Sequence, residues 1–224
     1  MYGMYGYGYG YGLDPTIILV LIGVALSLWA QGRVNSTFSR YSRVRSMTGM
    51  TGAEAARRLL NAQGIYDVTV QQIAGELTDH YDPRTKTVNL SQSVYGATSV
   101  AAIGVAAHEC GHAMQDNEGY APLRFRSALV PVANFGSSLS WPLILLGLVF
   151  GGLGSPLVEI GILMFSLAVL FQLVTLPVEY NASARAVRLL DAQGILAGEE
   201  VNGTRKVLNA AALTYVAAAA TSIL

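Results

Sequence analysis

Long runs of apolar residues are the strongest pattern along this chain. Residues 15–31 contain no charged side chain, and an uncharged run of this length can just cross the hydrocarbon core of a bilayer as a helix. Similar runs occupy 128–150 and 157–177. The three segments predict transmembrane helices, and Pro131 and Pro142 predict kinks in the second one.

The two ends of the chain have patterns of their own. Residues 207–224 are apolar and rich in alanine but barely long enough to span a bilayer, so they predict a fourth span or a helix packed beside the functional site. Of these we expect a partly membrane-embedded helix. At the other end, glycine alternates with tyrosine, which predicts a disordered tail over 1–14 on the non-cytoplasmic side.

Residues 32–127 show the shorter periods of a folded region outside the membrane. Thr51 and Glu54 form a T-x-x-E capping box, which opens a helix that ends at Gly64. The stretches DVTVQQI, ELTDHYD and KTVNLS then alternate apolar with polar residues, and a turn at 82–85 separates the last two. We expect a small antiparallel sheet with KTVNLS at its edge, where an extended peptide could add by main-chain hydrogen bonds.

Composition and charge agree with a membrane protein and indicate its orientation. The chain of 224 residues is 52% hydrophobic and only 12% charged, which is too apolar for an ordinary soluble domain. Arginines follow the first and third predicted spans and precede the second, whereas the opposite connections have none. By the positive-inside rule, 32–127 and the segment after 177 are cytoplasmic. A formal net charge of zero gives no attraction for nucleic acid.

Two of the three histidines lie in one short motif, HECGH at 108–112, which fits the pattern HExxH. The alanine-rich run before it predicts a helix, on which residues four apart share a face. His108 and His112 can therefore bind one Zn²⁺ while Glu109 reaches a water on the same ion. Cys110 projects to another side of the helix, so we expect it to pack in the core.

A catalytic zinc site needs a third protein ligand, and three glutamates are candidates. Glu118 stands where the longer pattern HExxHxxGxxH has its third histidine, but Gln115 replaces the turn-forming glycine of that pattern. Glu159 falls on the opposite side of the membrane by the arginine distribution. Glu179 follows the third span at its cytoplasmic end, and we expect it in a separate helix within 178–206. These positions favour Glu179 and leave Glu118 open.

Three segments together resemble a known family. DHYDPRTKTVNLS, VAAHECGHAMQ and LPVEYNASARAVRLLDAQG are similar to the YugP-type neutral zinc metallopeptidases of bacterial membranes, over roughly residues 16–220. EYNASARA is also similar to the EYxADxxA helix of the HtpX-type membrane peptidases, which implies that Glu179 is the zinc-binding glutamate. Ser183 stands where those peptidases have aspartate, and Asn181 is an alternative contact to a ligand histidine.

The predicted fold is therefore a mainly α integral membrane protein. It has three or four transmembrane helices and a cytoplasmic zincin-like (gluzincin) metallopeptidase domain with the small sheet. The predicted function is hydrolysis of peptide bonds in membrane or cytoplasmic proteins, as in quality control, with one catalytic Zn²⁺. Its partners are a protein or peptide substrate and the lipid bilayer, without nucleic acid.

Glu109 is the predicted general base and then the general acid of this reaction. The developing oxyanion needs a further donor, for which His80, Tyr95, Tyr180 and Tyr215 are candidates. His80 comes first because it lies on a strand that leads towards the zinc helix.

Two other functions are compatible with parts of the sequence. The first is a site-2-type intramembrane protease, in which HExxH lies inside a transmembrane helix; the polar residues 115–118 place this motif at the water boundary instead. The second is a catalytically silent zinc-binding membrane scaffold, which would have no use for Glu109.

Overall fold

The computed structural model describes residues 15–152 and 154–223, so the predicted tail at 1–14 lies outside the described residues. The elements of the described part follow in the order α1 (Pro15–Ser42), α2 (Gly52–Ala62), β1 (Thr69–Ile73), β2 (His80–Asp82), β3 (Thr87–Ser91), α3 (Gln92–Tyr95), α4 (Val100–Asn117), α5 (Ala121–Gly151), α6 (Pro156–Ala192) and α7 (Glu199–Ile223).

Helices α1, α5, α6 and α7 are each long and apolar enough to cross a membrane. Large apolar side chains on these helices point outward, and Leu28, Val149 and Phe150 are each more than two-thirds exposed. A continuous apolar surface of this kind is stable when lipid covers it. The predicted apolar C-terminal helix is the fourth of these helices, and it begins earlier than expected, at Glu199.

The predicted break between 157–177 and a separate helix from 178 is wrong. Helix α6 runs without interruption through Pro177. Proline removes one intrahelical hydrogen bond, a loss that packing against neighbouring helices can offset. Here the turn after Pro177 is held by tertiary contact, because Val178, Glu179 and Ala182 are all buried. The apolar span and the segment that carries Glu179 therefore form one continuous helix.

Small residues let the long helices approach closely. A Cβ added to Gly136 of α5 would lie 2.7 Å from the carbonyl oxygen of Met164, and one added to Gly161 of α6 would lie 3.0 Å from that of Ser140. Helices α1 and α7 make a similar contact, in which a Cβ at Gly23 would lie 2.7 Å from Thr221. Such contacts between small residues are typical of helix association in membranes.

The sheet is mixed, and the prediction of an antiparallel sheet is wrong. Its strand order is β1-β3-β2, with β1 parallel and β2 antiparallel to β3. The β2–β3 hairpin is as predicted. The connection 74–79 between β1 and β2, however, passes the end of β3, so that β1 and β2 pair with opposite edges of β3. Alternation of apolar and polar residues is the same in both kinds of pairing, so the pattern could not distinguish them. KTVNLS is consequently the central strand, and β2 is the edge beside α4.

Two hydrogen bonds fasten the β2–β3 hairpin to the end of α4. The Tyr81 hydroxyl donates to Asp116 Oδ2 over 2.8 Å, and Lys86 Nζ donates to the same oxygen over 2.7 Å. The hydrogen bond from Lys86 to Asp116 raises the pKa of Lys86. The pKa of Tyr81 is also raised, mainly by burial and secondly by its hydrogen bond to Asp116. The hairpin is thereby held in one position relative to the HExxH helix.

Helix α4 lies at the centre of the fold and packs against α2, α6 and α7. Its first turn is capped by the Ser99 hydroxyl, which accepts from the backbone N–H of Ala102. Cys110 is fully buried and its Sγ donates to the carbonyl of Ala56, so its predicted place in the core is confirmed. Burial raises the pKa of this thiol, which keeps it protonated.

Helices α4 and α6 come into close backbone contact at Gly111. A Cβ added there would lie 2.6 Å from the carbonyl oxygen of Ala182. Because backbone atoms cannot move aside as a flexible side chain can, only glycine allows this approach.

We predict that Gly111→Ala destabilises the protein by about 1–3 kcal/mol, as overpacking of a tight core does. The measurement is thermal unfolding of the detergent-purified chain. Gly96→Ala is the matched control, since Gly96 has φ −96° and no atom within 4 Å of an added Cβ. Equal melting temperatures for the Gly111 variant and wild type would contradict the proposed close packing.

Candidate metal centre

The two histidines of the HExxH motif lie on one face of helix α4. His108 and His112 lie one turn apart, and their ring centroids are 4.7 Å apart with the planes nearly perpendicular. Their Nε2 atoms approach each other to 3.2 Å. Helix geometry alone brings these two nitrogens to one point, as the spacing in the sequence predicts.

Helix α6 supplies the third donor. Glu179 Oε2 lies 3.2 Å from His108 Nε2 and 3.6 Å from His112 Nε2. The glutamate is only 3% exposed. Gly111, between the histidines, permits the backbone contact with α6 that brings this carboxylate close enough. The three residues are positioned to bind a metal ion.

The spacing of the three donors fits zinc. Ligand atoms about 2.0–2.1 Å from a tetrahedral ion lie about 3.4 Å apart. The three separations of 3.2, 3.2 and 3.6 Å match this value. Two imidazole nitrogens and one carboxylate oxygen form the donor set of catalytic zinc sites with two histidines and a glutamate, in which a fourth position stays free for water or substrate.

Each histidine is oriented by a hydrogen bond at its other ring nitrogen. His112 Nδ1–H donates to Gln115 Oε1 over 3.0 Å, and His108 Nδ1 lies 3.1 Å from Ser183 Oγ. The amide oxygen of Gln115 can only accept, so Nδ1 of His112 carries the proton and Nε2 is free for a metal. Contacts of this kind fix the tautomer and the ring plane of metal-binding histidines.

The fully buried Gln115 also ties the centre to α6. Its Nε2 donates to the carbonyl of Val178 and to Asn181 Oδ1, both over 2.9 Å. Asn181 in turn accepts from Arg185 Nε over 2.7 Å. The alternative contact of Asn181 with a ligand histidine is therefore not formed, because Asn181 accepts from Gln115 instead. The contact with the ligand histidine His108 is made by Ser183. The sequence did not predict this contact of Gln115 with His112, although a spacing of three residues on one helix is compatible with it.

The other two glutamates lie away from the centre. Glu118 Oε1 accepts from Arg185 Nη1 over 2.6 Å, and this bond lowers the pKa of the Glu118 carboxyl. Glu159 is in the first turn of α6, about 30 Å along the helix from Glu179. Among the described residues, the cluster that could hold a metal ion contains Glu179 and neither of them.

Two cavities meet at the centre. The larger, of about 330 Å³, lies between α1, α4 and α7, and the smaller, of about 160 Å³, lies between β2, α4 and α5. Both are lined by Asp79, His108, Glu109, Glu179 and Tyr215. Glu109 is 7% exposed and faces this shared region. The arrangement leaves room for an extended chain on both sides of the centre.

The four candidate oxyanion donors have different positions. Tyr95 lies away from both cavities, where its hydroxyl accepts from Arg57, and Tyr180 faces other cavities. His80 lines the smaller cavity, but its Nδ1 bonds to the Thr78 carbonyl and its Nε2 bonds to Asn89 Nδ2. Tyr215 lines both cavities. Its position in the sequence does not rank it above the other candidates, because α7 comes close to α4 only in the folded chain.

Two charged residues at the centre were not predicted from the sequence. Arg126 Nη2 lies 3.7 Å from Glu179 Oε1, and its buried Nε has no partner in the described part of the chain. Asp79 accepts from the backbone N–H and the hydroxyl of Ser91, and burial raises the pKa of its carboxyl. No motif marks either residue, since both reach the centre from loops or helices distant in sequence.

We predict that Gln115→Leu weakens zinc binding about 10–100-fold, because His112 loses the acceptor that fixes its tautomer. The measurement is the zinc dissociation constant by chelator competition. Asn117→Leu is the control, since this residue is exposed at the end of the same helix. Unchanged affinity in the Gln115 variant would show that this bond does not orient the histidine.

The chain is similar to known proteins over nearly its whole length. Residues 16–224 match the model of the family described as "Putative neutral zinc metallopeptidase". Over 207 residues the chain is 50% identical to "Putative membrane protease YugP" of Bacillus subtilis (strain 168), covering 92% of this chain and 91% of the relative. No solved structure matches significantly. The extent of these matches identifies the chain as a member of the neutral zinc metallopeptidase family, with His108, His112 and Glu179 positioned to bind its metal ion.

Proposed function

We propose that this chain is a membrane-embedded zinc endopeptidase that cuts membrane or cytoplasmic proteins close to the cytoplasmic face of the bilayer. The observation that carries the proposal is the convergence of three metal donors, two of them buried, beside Glu109 at the meeting point of two cavities. A structural zinc site is closed and has no need for an adjacent carboxylate. The cavities at this centre and the adjacent Glu109 therefore both disfavour a catalytically silent zinc-binding scaffold.

Zinc, when bound, supplies a Lewis acid that polarises the scissile carbonyl and lowers the pKa of the attacking water. Glu109 takes the proton of that water and then delivers it to the leaving amine. The Tyr215 hydroxyl donates a hydrogen bond to the developing oxyanion, a role for which it is better placed than His80, whose two nitrogens are already bonded. Arg126 approaches Glu179 at Oε1, the carboxylate oxygen that does not face the histidines, and holds the carboxylate in place.

The substrate is proposed to bind along β2. This strand borders the smaller cavity and pairs with β3 on one side only in the described sheet. An extended peptide can continue the sheet there by main-chain hydrogen bonds, which the central strand β3 cannot offer. Recognition through the main chain tolerates many side chains, and this suits quality-control proteolysis.

A site-2-type mechanism is less consistent with the fold. Helix α4 packs on α2 and on the sheet, and it is not among the four helices apolar enough to span a membrane. The centre instead lies at the end of the membrane helices, two residues beyond Pro177 of α6. Substrate therefore reaches it from the polar side of the interface.

We predict that Glu109→Gln retains zinc but lowers the rate of peptide hydrolysis about 10²–10⁴-fold, because the general base is lost. The measurement is cleavage of casein or a model membrane substrate by detergent-purified protein of known zinc content. A variant that cleaved as fast as wild type would contradict the mechanism.

Tyr215→Phe is expected to lower kcat about 10²–10³-fold with little change in KM, since the lost hydrogen bond forms only in the transition state. Tyr95→Phe removes a hydroxyl far from both cavities and serves as the control. Equal kcat values for the two variants would exclude Tyr215 as the oxyanion donor.

Cytoplasmic orientation predicts opposite labelling of two exposed positions. In a Cys110→Ala background expressed in bacteria, we expect an impermeant maleimide to label Gly154→Cys in intact cells and Arg84→Cys only after lysis. Gly154 lies in the α5–α6 turn and Arg84 in the β2–β3 turn. The reverse labelling would place the centre on the outer face.

A further inference from the structure

A cavity larger than those at the metal centre lies between α1, α6 and α7. Its volume is about 520 Å³, and none of the three metal donors lines it. Arg33, Thr37 and Arg40 border it from α1, Tyr180 from α6, and Lys206 and Asn209 from α7. On α1 these residues are four and three positions apart, and on α7 they are three apart, so on each of these helices they share one face. The cavity is thus built by helix geometry and not by a loop.

The cavity is strongly basic. Three of its lining residues are cations and none of those described is acidic. In the described part of the chain, Arg33, Arg40 and Lys206 form no salt bridge, whereas Lys86, Arg126 and Arg185 each lie within 4 Å of a carboxylate. Positive charges held together without a counter-charge repel one another, so an anion bound among them is stabilised.

The depth of the cavity corresponds to the polar surface of the bilayer. The uncharged part of α1 ends with Trp29 and Gln31, and tryptophan is typical of the membrane–water interface. Arg33 is the first charge that follows. Helices α1 and α7 run antiparallel here, since Gly23 approaches Thr221 and Tyr41 approaches Gly203. Lys206 therefore lies near the level of Arg40, with the apolar parts of both helices on the membrane side.

We propose that this cavity binds the phosphate group of an anionic phospholipid headgroup. Two guanidinium groups and one ammonium group supply charge, and Thr37, Tyr180 and Asn209 supply neutral hydrogen-bonding groups. Basic pockets between transmembrane helices at this depth recognise such headgroups. On the membrane side, the exposed side chains of Ile22 and Trp29 lie on the same face of α1 as Arg33 and Arg40, and they provide a surface for the acyl chains. That continuity favours a lipid over free phosphate.

The test compares phosphatidylglycerol with phosphatidylcholine by native mass spectrometry of the detergent-purified full chain. We expect wild type to retain phosphatidylglycerol selectively, and the triple variant Arg33→Gln, Arg40→Gln, Lys206→Gln to lose affinity on the order of 100-fold. The matched control, Arg43→Gln, Arg124→Gln, Arg205→Gln, removes the same charge from exposed positions outside the cavity and keeps wild-type affinity.

Three results would overturn the proposal. Equal losses in the two triple variants would indicate general surface charge, and equal binding of phosphatidylcholine would remove the need for an anionic headgroup. Displacement of the lipid by millimolar inorganic phosphate would assign the cavity to the free anion. Melting temperature and zinc content establish that the variants fold. If the triple variant does not fold, Lys206→Gln alone is expected to lower the affinity for phosphatidylglycerol about fivefold. An unchanged affinity in this single variant would also overturn the proposal.

Discussion

The close contact between α4 and α6 at Gly111 is the constraint on which the metal centre depends. Two ligands come from one helix and the third from the other, so their separation is set by how near the two backbones can lie. With any side chain at position 111, a Cβ would be 2.6 Å from the Ala182 carbonyl. The hydrogen bonds of Gln115 to His112 and to the Val178 carbonyl then fix the helices in register.

The same helix α6 joins the centre to the membrane. Because α6 continues through Pro177, its apolar part and Glu179 cannot move independently, and the depth of the span determines where the carboxylate lies. The β2–β3 hairpin, anchored at Asp116, covers the other side of the HExxH helix. In the function proposed above, this connection holds the peptidase site at the boundary between lipid and water.

Local patterns in the sequence predicted the features that local physics determines. The apolar runs, the capping box at Thr51 and the shared face of His108 and His112 depend on neighbours a few residues apart. Pairings between distant segments were not accessible in this way. Alternation of apolar and polar residues could not reveal that β1 is parallel to β3. Pro177 predicted the end of a helix, but burial of the following turn stabilises the helix beyond it. Tyr215 and Arg126 reach the centre only through tertiary packing.

The most direct test of the account is the metal content of the detergent-purified chain by elemental mass spectrometry, for wild type, Glu179→Ala and Glu118→Ala. We predict close to one zinc per chain in wild type and in the Glu118 variant, and a large loss in the Glu179 variant, because among the described glutamates Glu179 completes the donor set with the two histidines. Loss of zinc in the Glu118 variant alone, or no zinc in wild type, would contradict the proposed centre.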